Sequence, residues 1–175
     1  AQRVAYLLAS GGRKEVARGV MEKTLELNPN DPHAYLNFSD YLLTYHAEVR
    51  PDREKAVALA EEALVKFPDE AAVYDRVIRL YLIGRQASKA KVAIDKALKR
   101  SSTDPEFWLK IATIAQRVWP LNTSEGQEPV LLNSIYQKVL DQSTNQLSIQ
   151  ESVAGFYHSS HQPEKAQELY EKIIT

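Results

Sequence analysis

Apolar and small side chains recur along the chain at intervals of three and four residues, the pattern of an amphipathic α-helix. Short polar segments rich in Asp, Asn, Gly and Pro separate these stretches. Asp31 precedes Pro32 and Asp104 precedes Pro105, which is typical of a helix N-cap followed by proline at the first helical position. Only 6 of the 175 residues are glycine, which disfavours a turn-rich sheet protein. We therefore predict an all-α chain.

The helical stretches form two alternating series with a repeat length near 34 residues. Equivalent first-helix positions are separated by 34, 39, 34 and 42 residues; they are Ala1, Tyr35, Tyr74, Trp108 and Gln150. Equivalent second-helix positions are Ala17, Ala56, Ala90, Leu132 and Ala166. From each second-helix position to the next first-helix position the distance is always 18 residues. All the irregularity therefore lies inside the repeats, between their two helices.

The irregular spacing indicates insertions at two turns. Five extra residues fall around Tyr45–Asp52, and eight fall around Val118–Pro129. In a stack of hairpins, the turn between hairpins fixes the stacking geometry, whereas a turn inside a hairpin tolerates extra residues at low cost. We therefore expect both insertions to protrude from the same edge, with Trp119 accessible.

At these positions the sequence resembles the tetratricopeptide repeat (TPR) family, which alternates large and small residues over a 34-residue unit. The third repeat carries the pattern at Tyr74, Val77, Ile78, Tyr81, Ala90, Ile94 and Ala97. The second carries it at Tyr35, Phe38, Ser39, Leu42, Ala56, Ala60, Ala63 and Pro68. The resemblance implies a right-handed α-solenoid of ten helices in five hairpins, with first helices lining a concave groove. It also implies one domain, 1–175, cut from a longer repeat protein, with repeats at about 1–31, 32–70, 71–104, 105–146 and 147–175.

Composition and charge narrow the class of function. Charged residues make up 26% of the chain but the formal net charge is only −1, whereas nucleic-acid-binding domains are usually basic. No apolar run reaches the length of a membrane span. The sequence has no cysteine, and His158 and His161 lack the further ligands that a metal site needs. We predict a protein that is not an enzyme and has no cofactor, no metal and no nucleic-acid partner.

Candidate binding residues are those on first helices that the repeat register turns toward the groove. The main candidates are Asn37, Asp40, Arg76, Arg79, Ile83, Lys110, Thr113 and Arg117; Arg3, Tyr6 and Glu151 occupy related positions. Arg76, Arg79 and Lys110 form a basic stripe that would receive an acidic or carboxylate-bearing peptide. The alternative is that these cations are solvated surface charges paired with Asp75 and Glu106.

The sequence leaves three functional classes open. The leading hypothesis is a scaffold that binds a peptide segment or helix of a partner protein in the groove. Related helical-hairpin repeats bind RNA, which is the first alternative. The second alternative is a structural spacer, or a module that self-associates through exposed end repeats.

Overall fold

The computed structural model describes residues 1–119, 128–143 and 146–174. Within these ranges the chain forms ten α-helices and no strand. In chain order the helices are α1 (Gln2–Ser10), α2 (Lys14–Leu27), α3 (Pro32–Tyr45), α4 (Arg50–Lys66), α5 (Ala71–Ile83), α6 (Ala87–Leu98), α7 (Pro105–Val118), α8 (Glu128–Gln142), α9 (Leu147–Ser159) and α10 (Pro163–Ile174). The prediction of an all-α chain of ten helices is confirmed. No helix in the described ranges combines the length and the apolar composition needed to cross a bilayer.

The helices belong to two compact units. Unit 1, Ala1–Arg85, contains α1 to α5, and unit 2, Gln86–Thr175, contains α6 to α10. In unit 1, α1 packs on α2 and α3 packs on α4, while α2 contacts α3 and α4 contacts α5. In unit 2, α7 packs on α8 and α9 packs on α10, while α6 contacts α7 and α8 contacts α9. Consecutive hairpins therefore stack within each unit.

Small residues allow the helices of a hairpin to approach closely. Ala5, Ala17, Ala56 and Ala60 are completely buried, because a methyl group is all that fits where two helices cross. Ser39 is also completely buried, and its hydroxyl donates a hydrogen bond of 2.8 Å to the carbonyl of Ala56. That bond joins α3 to α4 at the crossing and satisfies a hydroxyl that would be costly to bury alone.

The predicted N-caps are present. The Asp31 carboxylate accepts a hydrogen bond from the backbone N–H of His33 at 2.9 Å, and Pro32 opens α3. The Asp104 carboxylate accepts one from the backbone N–H of Glu106 at 2.9 Å, and Pro105 opens α7. Each aspartate satisfies a helix N–H that has no partner within the helix.

The first insertion protrudes only in part: residues 48–51 are exposed, as expected, whereas His46 and Asp52 on either side of them are buried. The extra residues lengthen α4, which has 17 residues where α6 has 12. His46 and Asp52 are buried, because Asp52 forms an ion pair with Arg18 of α2 and the His46 ring lies 3.5 Å from the same carboxylate. A polar cluster thus folds the insertion onto the preceding hairpin. The second insertion falls mostly outside the described residues.

Trp119 is also not accessible, contrary to the sequence expectation. Only 7% of its surface is exposed. The Lys91 ammonium lies over the indole ring, 5.4 Å from its centroid. Burial of the indole ring and its contact with the Lys91 ammonium stabilise Trp119 more than exposure to solvent would.

Candidate functional site

Two neighbouring first helices of unit 1 carry five of the eight candidate residues. Asn37 and Asp40 lie one turn apart on α3. Arg76, Arg79 and Ile83 follow one another at helical spacing on α5. Residues three and four apart share one face of a helix, so each set forms a stripe, and the Asp40–Arg76 ion pair shows that the two stripes meet.

Asp40 and Arg76 form a bidentate ion pair between α3 and α5, in which both terminal nitrogens of the guanidinium contact the carboxylate. The side chain of Asp40 is 28% exposed and that of Arg76 is 18% exposed. Burial raises the pKa of Asp40 above its usual value of 3.8, and the charges of Arg76 and Arg79 oppose that rise. The Nε atom of Arg76 is buried without a hydrogen-bond partner among the described residues. The pair therefore fixes the spacing of the two helices at the site.

Arg79 also has a carboxylate partner. Its Nη2 atom lies 2.6 Å from Oδ2 of Asp75, one turn earlier on α5. Two arginines and two aspartates thus lie together with no net charge. The alternative suggested by the sequence, pairing with Asp75, holds for Arg79, while Arg76 pairs with Asp40 instead.

Aromatic rings border this charged network. The Tyr6 ring of α1 lies edge-on to Tyr45, with centroids 5.6 Å apart, and 6.3 Å from the Tyr41 ring. Tyr6 and Tyr45 are half-buried, whereas Tyr41 is fully buried. Burial and the Asp40 charge both raise the pKa of Tyr6, so its hydroxyl stays a neutral donor.

The repeat register predicts that Tyr6 lies near the groove but does not single out Tyr45. The sequence does contain an indication of Tyr45, because Tyr41 and Tyr45 are four residues apart and therefore share a helix face. The repeat register alone did not show it, since Tyr45 falls at the edge of the first insertion.

The other three candidates lie on α7 in unit 2. Lys110, Thr113 and Arg117 are all exposed and follow one another at helical spacing. The Thr113 hydroxyl donates a hydrogen bond of 2.9 Å to the carbonyl of Leu109. These residues form a polar stripe on one face of α7, with two cations among the three.

The structure brings no metal ligands to the two neighbouring histidines from the part of the chain that it describes. His158 and His161 are both exposed. Among the residues that the structure describes, no group of three or more His, Asp or Glu side chains is placed to hold a metal ion.

Comparisons with known proteins identify the fold. No family model matches the chain, and no curated protein matches it. Solved structures do. A crystal structure of MamA is 14% identical, with a TM-score of 0.53 over 98% of this chain and 92% of that one. TTC0263, a thermophilic TPR protein of Thermus thermophilus, is 16% identical, with a TM-score of 0.52 over 98% of this chain and 87% of that one.

A third similar structure is YrrB, described as a TPR protein with an unusual peptide-binding site. It is 19% identical, with a TM-score of 0.50 over 97% of this chain and 81% of that one. Identities this low establish shared architecture and leave function to the side chains. The helical hairpins, the small residues at their crossings and these structural matches together show that the chain has the helical-repeat fold of tetratricopeptide-repeat proteins.

Proposed function

We propose that the chain is a non-catalytic interaction scaffold that binds a peptide segment or helix of a partner protein. The binding surface consists of Tyr6, Asn37, Asp40, Tyr45, Arg76, Arg79 and Ile83 in unit 1. In unit 2, Lys110, Thr113 and Arg117 on α7 are proposed as further contact residues in their own right.

The observation that carries this proposal is the half-buried tyrosine pair beside a fixed arginine network. Tyrosine and arginine are enriched in protein interfaces, where rigid aromatic rings supply contact area and guanidinium groups supply directed donors. Ile83, 73% exposed at the end of α5, adds an apolar contact. The TPR protein YrrB, whose description mentions a peptide-binding site, supports the same class of function.

The ion pairs of Arg76 and Arg79 limit which peptides could bind at this surface. A peptide carboxylate must compete with Asp40 for Arg76 and with Asp75 for Arg79. Arg79 is the more available of the two, because its side chain is 48% exposed against 18% for Arg76. We therefore propose an amphipathic segment with an apolar residue against Tyr6 and Tyr45 and a carboxylate directed at Arg79.

Selection from a random peptide library on the immobilised chain tests the proposal. Selected peptides should lose at least about tenfold in affinity for a Tyr45→Ser, Arg79→Ser double variant, the loss of about one hot-spot contact. They should bind a Lys99→Glu variant as tightly as the wild type, because Lys99 lies at the end of α6, outside unit 1. Thermal melting of each variant shows whether it is folded.

Two results would refute this function. One is a selection that yields no peptide, or yields peptides that bind the double variant unchanged. The other is tight binding of single-stranded RNA that weakens steeply with salt, the signature of phosphate contacts. The second result would favour an RNA-binding repeat protein instead.

A further inference from the structure

The second helix of the third hairpin carries an excess of positive charge. Residues 85–100 contain six of the 22 lysines and arginines but only one acid, whereas the whole chain has a formal net charge of −1. On α6 and at its C-cap, Lys89, Val92, Lys96 and Lys99 follow one another at intervals of three, four and three residues. They therefore share one side of the helix, and we call these four residues the basic face.

The basic face points outward. All four side chains are exposed, including Val92 at 53%. The opposite side of α6 is buried, at Ala90, Ala93, Ile94 and Ala97. Positions equivalent to Lys96 and Lys99 are exposed in the first two hairpins as well, at Lys23, Glu26, Glu62 and Val65. This exposure therefore recurs on the outer side of successive hairpins.

In the first two hairpins an acid balances the charge at the positions of the last two lysines. On α2, Lys23 and Glu26 occupy these positions and form an ion pair of 2.9 Å. On α4, Glu62 occupies the first and forms an ion pair of 2.8 Å with a lysine of the same helix. On α6 both positions are lysine, and neither Lys96 nor Lys99 has an ion-pair partner among the described residues. Their charges therefore remain available to a binding partner.

The one acid of the segment, Asp95, lies on a different side of the hairpin. It takes the register position of Glu22 and Glu61. Glu22 pairs with Lys55 at 2.9 Å, and Glu61 accepts a hydrogen bond of 2.6 Å from the Tyr81 hydroxyl. Both partners belong to the following hairpin, so this position faces along the stack and not outward.

A further lysine adds positive charge where the basic face ends. The Lys138 ammonium of α8 donates a hydrogen bond of 3.4 Å to the carbonyl of Leu98, and it lies 4.4 Å from the centroid of the Trp108 ring. Leu98 directly precedes Lys99. The C-terminal end of α6 is therefore cationic from two helices of unit 2.

We propose that the basic face binds an acidic segment of a partner protein, with carboxylates opposite Lys96 and Lys99 and an apolar side chain on Val92. Lys89 and Lys99 are ten residues apart, which is about 15 Å along a helix. A segment of about three helical turns matches that length. A nucleic acid strand or a lipid surface would extend past it over a chain with no net excess of cations. Complementary charge directs the association, and the central apolar contact supports its affinity.

The basic face shares no residue with the proposed peptide-binding surface, so each can be present without the other. Fluorescence anisotropy with a labelled synthetic peptide tests the basic face. The probe is a helix-forming peptide with glutamates along one side and a leucine at the centre of that side. A second peptide has the same composition but its glutamates are spread around the helix. The wild type should bind the first peptide more tightly than the second, and more weakly as salt concentration rises.

A charge-matched pair of variants gives the sharpest result. Lys96→Gln, Lys99→Gln should bind the probe about tenfold more weakly, the effect of losing two exposed ion pairs. Lys14→Gln, Lys23→Gln removes the same charge from exposed residues of α2 and should bind like the wild type. The Tyr45→Ser, Arg79→Ser variant should also bind the probe like the wild type, which separates this surface from the one in unit 1. Thermal melting of each variant shows whether it is folded.

Three results would overturn the proposal. Failure of the wild type to bind the probe, or equal binding of the two peptides, would show that the basic face does not recognise an ordered row of carboxylates. A lower melting temperature of Lys96→Gln, Lys99→Gln with unchanged peptide binding would leave these lysines only a role at the negative end of the helix dipole. Tighter binding of single-stranded RNA or of phosphatidylserine vesicles, lost in the same variant, would assign the face to a nucleic acid or to a lipid surface.

Discussion

Arg18 of α2 and Asp52 of α4 form a bidentate ion pair that joins the first two hairpins, with distances of 3.0 Å from Nη2 to Oδ1 and 3.2 Å from Nη1 to Oδ2. Asp52 lies in the first turn of α4, where the positive end of the helix dipole also favours a carboxylate. His46 lies against the same carboxylate, and its Nε2 atom is 3.3 Å from the Tyr41 hydroxyl. The pair is thus the centre of a buried polar cluster.

Asp52→Ala should therefore lower the free energy of unfolding by about 2 kcal/mol, because it removes a buried charge partner while Arg18 keeps only Glu22. Urea denaturation measures the change. Glu54→Ala is the control: it breaks the exposed Arg50–Glu54 pair on the same helix and should cost less than about 0.5 kcal/mol. Equal effects of the two substitutions would mean that the cluster does not stabilise the junction.

Stability in alkali should depend on Tyr136. Its ring stacks on Phe156 with centroids 3.8 Å apart. Burial raises its pKa to about 12 from the usual value of 10.0, and a hydrogen bond between Tyr136 and Thr113 opposes that rise. Between these values the folded state binds a proton that the unfolded state has released, so stability falls as pH rises from about 10 to about 12.

The free energy of unfolding should fall by about 2–3 kcal/mol over this range. This corresponds to a difference of about two units between the pKa of Tyr136 in the folded and unfolded states. It is measured as the difference between wild type and Tyr136→Phe in denaturation at about pH 9 and about pH 12, below and at the top of this window, since other tyrosines contribute equally to both proteins. A difference that does not change with pH would place the Tyr136 hydroxyl in solvent.

Titration of Asp40 should show that burial changes the pKa of its carboxyl more than the ion pair with Arg76 does. We expect the pKa of its carboxyl to lie above 3.8, and to lie higher still in Arg76→Leu, because Arg76 opposes the rise. The folded state then holds the proton more tightly than the unfolded state, so this group's contribution to stability decreases as pH rises through the window between the two pKa values.

Carbon-13 NMR of the aspartate carboxyl resonances follows Asp40 directly. Arg79→Leu is a graded control and should raise the Asp40 pKa by less than Arg76→Leu, because Arg79 is the weaker of the two influences. An Asp40 pKa below 3.8 in the wild type would show that attraction to Arg76 dominates.

Two short turns place non-glycine residues in the left-handed region. Gly12, Arg85 and His161 occupy the same register position, with φ of 83°, 55° and 58°. Only Gly12 suits that conformation without steric strain. His161→Gly should therefore raise the free energy of unfolding by about 0.5–1 kcal/mol, and Gly12→Ala should lower it by a similar amount. Thermal melting measures both, and a stabilising Gly12→Ala would contradict the explanation.

The sequence by itself determined the helical class and the hairpin architecture. The period of three and four residues, the caps at Asp31 and Asp104, and the constant distance of 18 residues between repeats depend on local geometry and on one stacking contact that recurs. Features of this kind produce a periodic pattern of residue types that can be read from the sequence. The candidate residues on α3 and α5 followed from the same register, because helical spacing alone sets which side chains share a face.

Only the tertiary structure decided how those residues are paired. Arg76 bonds Asp40, 36 positions away, and Arg18 bonds Asp52, 34 positions away, and no local rule specifies such partners. The first insertion looked like a projecting turn because length alone favours a surface position. The end of the insertion at Asp52 is buried because Asp52 gains a charge partner on α2, while residues 48–51 remain exposed. Which charges remain available to a ligand depends on these long-range contacts, so the register predicted the candidate residues and the packing determined their electrostatics.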